Sequence, residues 1–246
     1  TGLCSTPPDI LGGCPHRRME HRSLAEGGVR VKFTCHFISA AQFAARMGVG
    51  ARELAERVAP ELREASGFVE EAGWAPVLPD GKVGGNAACV LHTPTAPVLA
   101  VTCSGRQPGR WKSFGPDDVA IVVDFDPSTW TCAYCAKSSD VKPTSDTPLL
   151  FSLLLLWPTQ LAWADTPLAC LHGHSLATAA EAELHHIPQS PEETLFSTRA
   201  DWEAVLALVR AHPYPAAPLV SRRGHGFFSL AASLTECAQR LRSLCQ

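Results

Sequence analysis

No charge of one sign dominates this chain. Its 21 lysines and arginines stand against 24 aspartates and glutamates, for a formal net charge of −3 with ten histidines counted neutral. There is no basic field to hold a phosphodiester backbone, so nucleic acid is not an expected partner. Long apolar runs are lacking too. The longest, residues 149–157 (LLFSLLLLW), falls short of the roughly 20 residues of a membrane span. It reads as a buried helix, and no membrane association is expected. No charged-then-apolar leader opens the chain, whose first residue is Thr1. No internal repeat is present, which excludes a solenoid. Charged residues are only 18% of the 246 and apolar residues 46%. That composition excludes disorder and suits one medium α/β domain with a sizeable core.

A second C-x-x-C is missing as well. Cys132 and Cys135 form the sole such pair, so a zinc ribbon is excluded and both read as strand residues. The ten cysteines are scattered, and Cys89 and Cys170 sit inside apolar runs. This favours reduced, buried thiols of a cytoplasmic protein over a disulfide framework.

Residues 1–30 are rich in Gly, Pro, Arg and His and look like an irregular arm. Residues 29–38 (VRVKFTCHFI) alternate as a strand does. The chain thus divides into an arm and strand at 1–38 and a main domain at 39–246. Helices are expected at 40–47 and 51–72. Strands are expected at 87–92, 98–102, 119–125 and 131–134. The spacing predicts a helix over 147–157, with Ser145 or Asp146 as its cap, Pro148 in its first turn and Pro158 ending it. A strand over 168–172, an Ala-rich helix over 175–184 and an amphipathic helix over 199–211 follow. Strands at 219–222 and 227–230 flank a Gly-His-Gly turn. A last helix over 233–244 opens with Ser233 and Glu236 in a capping-box pattern.

His172-Gly173-His174 closes an apolar strand. In extended chain, i and i+2 leave the same face, so two imidazoles point together. A catalytic metal site wants three ligands and an open position, so a third group must come from elsewhere. His225, between Gly224 and Gly226 at a turn tip, is the candidate. An ordinary strand or turn role remains open for all three.

Six segments resemble the class II aldolase/adducin family, in the family's order. Gly85-Asn86 is similar to its G-N, residues 102–105 (TCSG) to T-P-T/S-G, and residues 114–124 (FGPDDVAIVVD) to its L-T-P-E-D-L-V-V-V-D stretch. Residues 142–146 (KPTSD) resemble K-P-S-S-E/D, residues 172–175 (HGHS) resemble H-T-H-S, and residues 223–226 (RGHG) resemble R-N-H-G. The match covers roughly residues 80–246.

The resemblance implies a three-layer αβα fold with a mixed, mostly antiparallel central sheet, preceded by an N-terminal extension. It implies a divalent metal, Zn2+ first and Mn2+, Co2+ or Ni2+ next, on His172, His174 and His225. Asp146 takes the place of the family's metal-side carboxylate, where a shorter reach favours a base over a ligand. On its own it also reads as a helix cap. Gly85, Asn86, Ser104, Gly105, Thr144 and Ser145 map to the family's phosphate-binding loops, whose amides and hydroxyls cradle an anion. Glu193, beside Glu192, falls where relatives carry a second acid/base. Arg222 and Arg223 are read as partners of surface acids and left outside the site.

The implied activity is a zinc-dependent lyase. It would cleave or dehydrate a phosphorylated sugar or related hydroxy-carbonyl compound by metal-stabilised enediolate chemistry. A 4-epimerase and a noncatalytic, adducin-like interaction protein are the alternatives. A fuculose-phosphate-type tyrosine tail is not seen, because the chain holds only Tyr134 and Tyr214. The implied assembly is a homotetramer, and the partner a small molecule.

Overall fold

The structure is a computed structural model that describes residues 29–244. The arm expected over 1–30 lies outside the described residues up to residue 28. Fourteen elements follow. Strand β1 is Thr34–Phe37, with helices α1 (Ala40–Met47) and α2 (Ala51–Glu71) after it. Strands β2 (Asn86–His92), β3 (Pro97–Thr102), β4 (Val119–Asp126) and β5 (Thr131–Cys135) come next. Then come helix α3 (residues 147–160), β6 (Ala169–Gly173), α4 (Ala179–Leu184) and α5 (Arg199–Ala211). Strands β7 (Leu219–Arg222) and β8 (Gly226–Ala231) and helix α6 (Leu234–Ser243) complete the described residues.

The strands form one eight-stranded sheet in the order β1-β5-β4-β3-β2-β6-β8-β7. Only β1 and β5 pair in parallel; every other pair is antiparallel. The central strands read as near-continuous apolar runs because both of their faces are covered. On one face, Ala87, Ala100, Ile121 and Leu171 pack beneath α1, α2 and α6 through Phe43, Leu54, Leu62 and Leu241. On the other, Ala88, Val101, Val122 and Cys170 meet Leu150, Leu154 and Trp157 of α3 and Val205 and Val209 of α5. The sequence alternates accordingly, Ala87 to one layer and Ala88 to the other. This is the expected three-layer αβα fold.

Several expectations need correction. Pro158 does not end α3. The helix loosens into a π turn at Ser152–Leu156, where the Trp157 N–H donates to Ser152 O, and Pro158 then opens the Trp157–Gln160 turn. A proline costs little at a first-turn position, where its missing N–H has no partner to lose. The helix expected over 175–184 begins only at Ala179. Thr178 caps it in a complete capping box with Glu181. Residues 175–177 stay irregular as two of their carbonyls are bound elsewhere: Leu176 O accepts from Ser221 Oγ, and Ala177 O accepts from the Gly224 N–H at 2.9 Å. At α6, Ser233 accepts from the Glu236 N–H, but the Glu236 carboxylate takes the Ala232 N–H in place of that of Ser233.

Among the described residues, no helix is long and apolar enough to cross a membrane. All seven described cysteines are free thiols. Burial pushes that of Cys89 up to about 12.

Candidate metal centre and anion cleft

The antiparallel pairing gathers strand starts and strand ends along one edge of the sheet. Asn86 opens β2 opposite His172, near the end of β6. His172 in turn faces Phe228 of β8, and Arg222, the last residue of β7, faces Gly226. Thr102 ends β3, and the 142–145 loop lies against it: Thr144 N–H donates to Thr102 O at 3.1 Å and Ser104 N–H to Lys142 O at 2.9 Å.

The three histidines meet at this edge. Ring centroids are 5.1 Å apart for His172 and His174, 5.3 Å for His172 and His225, and 4.5 Å for His174 and His225. One nitrogen from each lies within 4.8 Å of the others, to within a small ring rotation the spacing of ligands around a single ion. His172 Nδ1 lies 2.7 Å from Phe227 O. A bond of that kind to a carbonyl is the usual orienting partner of a ligating imidazole and favours the proton on Nδ1; Nε2, the other nitrogen, lies 3.4 Å from Arg222 Nη2.

Two glycines make this approach possible. A Cβ on Gly226 would lie 2.0 Å from Gly173 O, and its φ is +145°. A Cβ on Gly173 would strike the Phe227 ring at 2.7 Å. Only glycine lets the turn carrying His225 close onto the His172–His174 segment.

Gly85, Asn86, Ser104, Gly105, Thr144, Ser145, Asp146, His174 and His225 line one cleft, which encloses about 490 Å³, part of it open to solvent. The six expected anion-contacting residues are therefore brought beside the histidines. The cleft also has basic walls that sequence reasoning missed. Arg30 pairs with Asp80, and buried Arg106 donates to Ser66 Oγ at 2.7 Å with Glu70 3.4 Å away. The Nε of Arg106 has no hydrogen-bond partner. Nearby, the Lys32 ammonium sits 3.6 Å over the ring of Phe196, another cleft residue. Burial lowers the Lys32 pKa, and the charges of Asp146 and Asp201 oppose that shift.

Asp146 occupies the cap position of α3, but its side chain makes no capping bond. Its Oδ2 accepts from Asn86 Nδ2 at 2.7 Å, and its Oδ1 from Arg222 Nη2 at 2.9 Å. Oδ2 also lies 3.6 Å from His172 Nε2. Burial works to raise its pKa; the charge of Arg222 and the bonds from Asn86 and Arg222 work against burial, and the group is held below the usual carboxylate range. The cap expectation is thereby corrected, because a stronger, charge-assisted partner takes the side chain.

Arg222 is not the surface residue expected. It is 2% exposed and bridges Asp146 and Asp201, with Nη1 2.7 Å from Asp201 Oδ2. Asp201 was not singled out from sequence. Burial raises its pKa above the usual range, with Arg222 offsetting part of the shift. Arg223 lies apart, with Nε 3.3 Å from Gln189 Oε1. Glu193 is exposed and does not line the cleft. Its carboxyl packs on Gly224, the neighbour of His225, from a segment with no helix before Arg199.

No protein-family model and no curated protein matches the sequence. Solved structures do match in fold. A sugar-phosphate aldolase from Thermotoga maritima is 12% identical over 79% of this chain and 91% of its own, with a TM-score of 0.53. An aldolase II superfamily protein from Pseudomonas syringae is 12% identical over 80% of this chain and 74% of its own, with a TM-score of 0.54. The chain has the class II aldolase fold.

Proposed function

We propose that this chain is a metal-dependent lyase that cleaves or dehydrates a phosphorylated hydroxy-carbonyl compound. The observation that carries the reading is the convergence of three imidazole nitrogens within 4.8 Å, beside a cleft walled by Ser104, Gly105, Thr144 and Ser145. Neutral imidazoles suit zinc, and cobalt, manganese or nickel fit the same donors. His172, His174 and His225 would hold the ion. When bound, the ion would act as a Lewis acid, polarising a substrate carbonyl oxygen and stabilising negative charge that develops on it.

The remaining roles fall to the protein. Ser104, Thr144 and Ser145 offer hydroxyls, and Gly85 and Gly105 offer close backbone approach, to an anionic end of the substrate. That contact fixes the reacting carbon relative to the histidines and removes much of the orientational cost of the step. Asn86 both lines the cleft and holds Asp146. Asp146, ionised and beside His172, is assigned to accept a proton, and Glu193, whose carboxyl packs on Gly224 beside His225, is assigned the second proton transfer at the rim. A homotetramer in the cytoplasm, as the resemblance implies, belongs to the same proposal.

The test is direct. Metal content of the purified chain is measured, and loaded protein is incubated with pentulose and hexulose phosphates. Cleavage or dehydration products are expected, with both metal and activity lost in His225→Ala. A stereoisomer as the sole product would favour the epimerase. A chain that takes up no metal would overturn the reading.

A further inference from the structure

Asp146 stands beside the three histidines without joining them. Its Oδ2 is 3.6 Å from His172 Nε2, yet it is not among the donors that cluster within 4.8 Å of one another. Both of its oxygens are engaged, one by Asn86 and one by Arg222. Arg222 is itself fixed on three sides. Nη1 bonds Asp201, the guanidinium lies 4.7 Å over the Phe228 ring, and Nη2 lies 3.4 Å from His172 Nε2. Asp201 is anchored in turn, because Oδ1 accepts from Thr194 Oγ1 at 2.9 Å and Oδ2 from the Ser197 N–H at 3.3 Å. Thr198, the cap of α5, accepts the Asp201 N–H at 3.3 Å. A line of buried contacts therefore runs from the start of α5 through Arg222 to Asp146.

Resting on the metal reading above, we propose that Arg222 and Asp201 are positioning residues that hold Asp146 off the ion. The centre then keeps three imidazole ligands and an open position. A carboxylate left free beside a divalent cation would displace water and close the site. Here one lone pair on each oxygen is taken, by a charge-assisted bond from a guanidinium and by an amide. The guanidinium also adds a positive charge on the side of His172 from which Asp146 would approach. A catalytic site of this type needs an unfilled coordination position, and partners outside the ligand set decide which groups reach the ion. With Asp146 restrained, the open position would be left to substrate oxygens, and the second lone pair on each carboxylate oxygen would remain for a proton.

The experiment titrates Co2+ into the full chain after chelation, reading affinity and the ligand-field absorption bands. In the otherwise unaltered chain, Asp146→Asn should leave the band positions unchanged. In the Arg222→Met/Asp201→Asn background, Asp146 loses its charged partner and keeps only the weaker, neutral bond from Asn86. Co2+ affinity should then rise by roughly tenfold or more and the bands should shift, both gains vanishing when Asp146→Asn is added. A merely structural role for Arg222 predicts only weaker binding. Shifted bands in the single Asp146→Asn variant would show that Asp146 is already a ligand and overturn the proposal. So would the absence of any gain in the double-variant background. If that background does not fold, the bands of the single variant decide alone. A wild-type chain that binds no Co2+ would instead sink the metal reading, and this inference with it.

Discussion

Replacing Arg222 by methionine keeps the bulk of the side chain against Phe228 but strips the cation from two carboxylates. Asp146 and Asp201 are 3% and 1% exposed, so water cannot take over the guanidinium's role. Removing one partner from a buried ion pair costs about 3–5 kcal/mol, most of it from the charge left behind. Arg222 serves two such charges, on Nη1 at 2.7 Å and Nη2 at 2.9 Å, so the upper part of that range is expected at pH 7. Domains are stable by only about 5–15 kcal/mol, so the loss would be plain in a urea or guanidinium melt of the chelated protein. Adding Asp201→Asn removes one stranded charge and leaves an amide that can still meet Thr194. The double variant should recover roughly 1–3 kcal/mol, the coupling typical of residues in one network. A single variant that loses less than about 1 kcal/mol would refute the argument, since that is the scale of an exposed pair. A double variant no more stable than the single one would refute it equally, because burial of a second unpaired carboxylate would then carry no cost.

Two further outcomes test the local geometry. Gly226→Ala puts a Cβ 2.0 Å from Gly173 O at a φ of +145°, so it should exceed the ~1–3 kcal/mol of backbone strain alone; a denaturation midpoint equal to wild type would contradict the close approach. Asp126 accepts from Ser128 Oγ at 2.6 Å and Thr129 Oγ1 at 2.8 Å, which hold its carboxyl down to about 2. Its folded value lies below the unfolded one, so its contribution is full above about pH 4 and is lost as pH falls through about 2. An NMR titration of its side-chain carbonyl should show that low midpoint, and a midpoint near 4 would count against the turn.

Much of the fold was legible because burial on both sheet faces writes itself as apolar runs. Residues 87–92, 98–102 and 119–125 could hardly be anything but central strands, and helices 40–47 and 199–211 match the structure residue for residue. The two helix misses have separate causes. Residues 175–177 have helical composition, but the Leu176 and Ala177 carbonyls are claimed by Ser221 and Gly224, which are distant in sequence. Pro158 is a helix breaker only while the i→i−4 pattern holds, and the π turn before it shifts that pattern. At the site, the histidines were visible because His-x-His on a strand and Gly-His-Gly at a turn carry geometric signals of their own. Asp201 and Arg222 carry none. One is an ordinary acid in a helix's first turn, the other an ordinary arginine at a strand end.

Physical necessity links those two once the fold is known. Five strands bring their site-side ends to one edge of the sheet, and both faces of that sheet are covered by helices. Asp146, Asp201 and Arg222 are buried there, and a buried charge persists only with a partner. Asp146 lies there because the loop at 142–145 is pinned to the end of β3. Arg222 reaches it from the end of β7, two strands beyond β6. One guanidinium between two carboxylates still leaves an excess negative charge. Lys32, from the segment before β1, lies close enough for both acids to act on its ammonium. With neutral imidazoles, the four side chains sum to zero, one arginine and one lysine against two aspartates. A divalent ion among the histidines would then make the edge of the sheet doubly positive, beside a cleft lined by hydroxyls and glycine backbone. The balance of this buried network, more than the net charge of −3 over the whole chain, is what would draw a dianionic substrate end to this site.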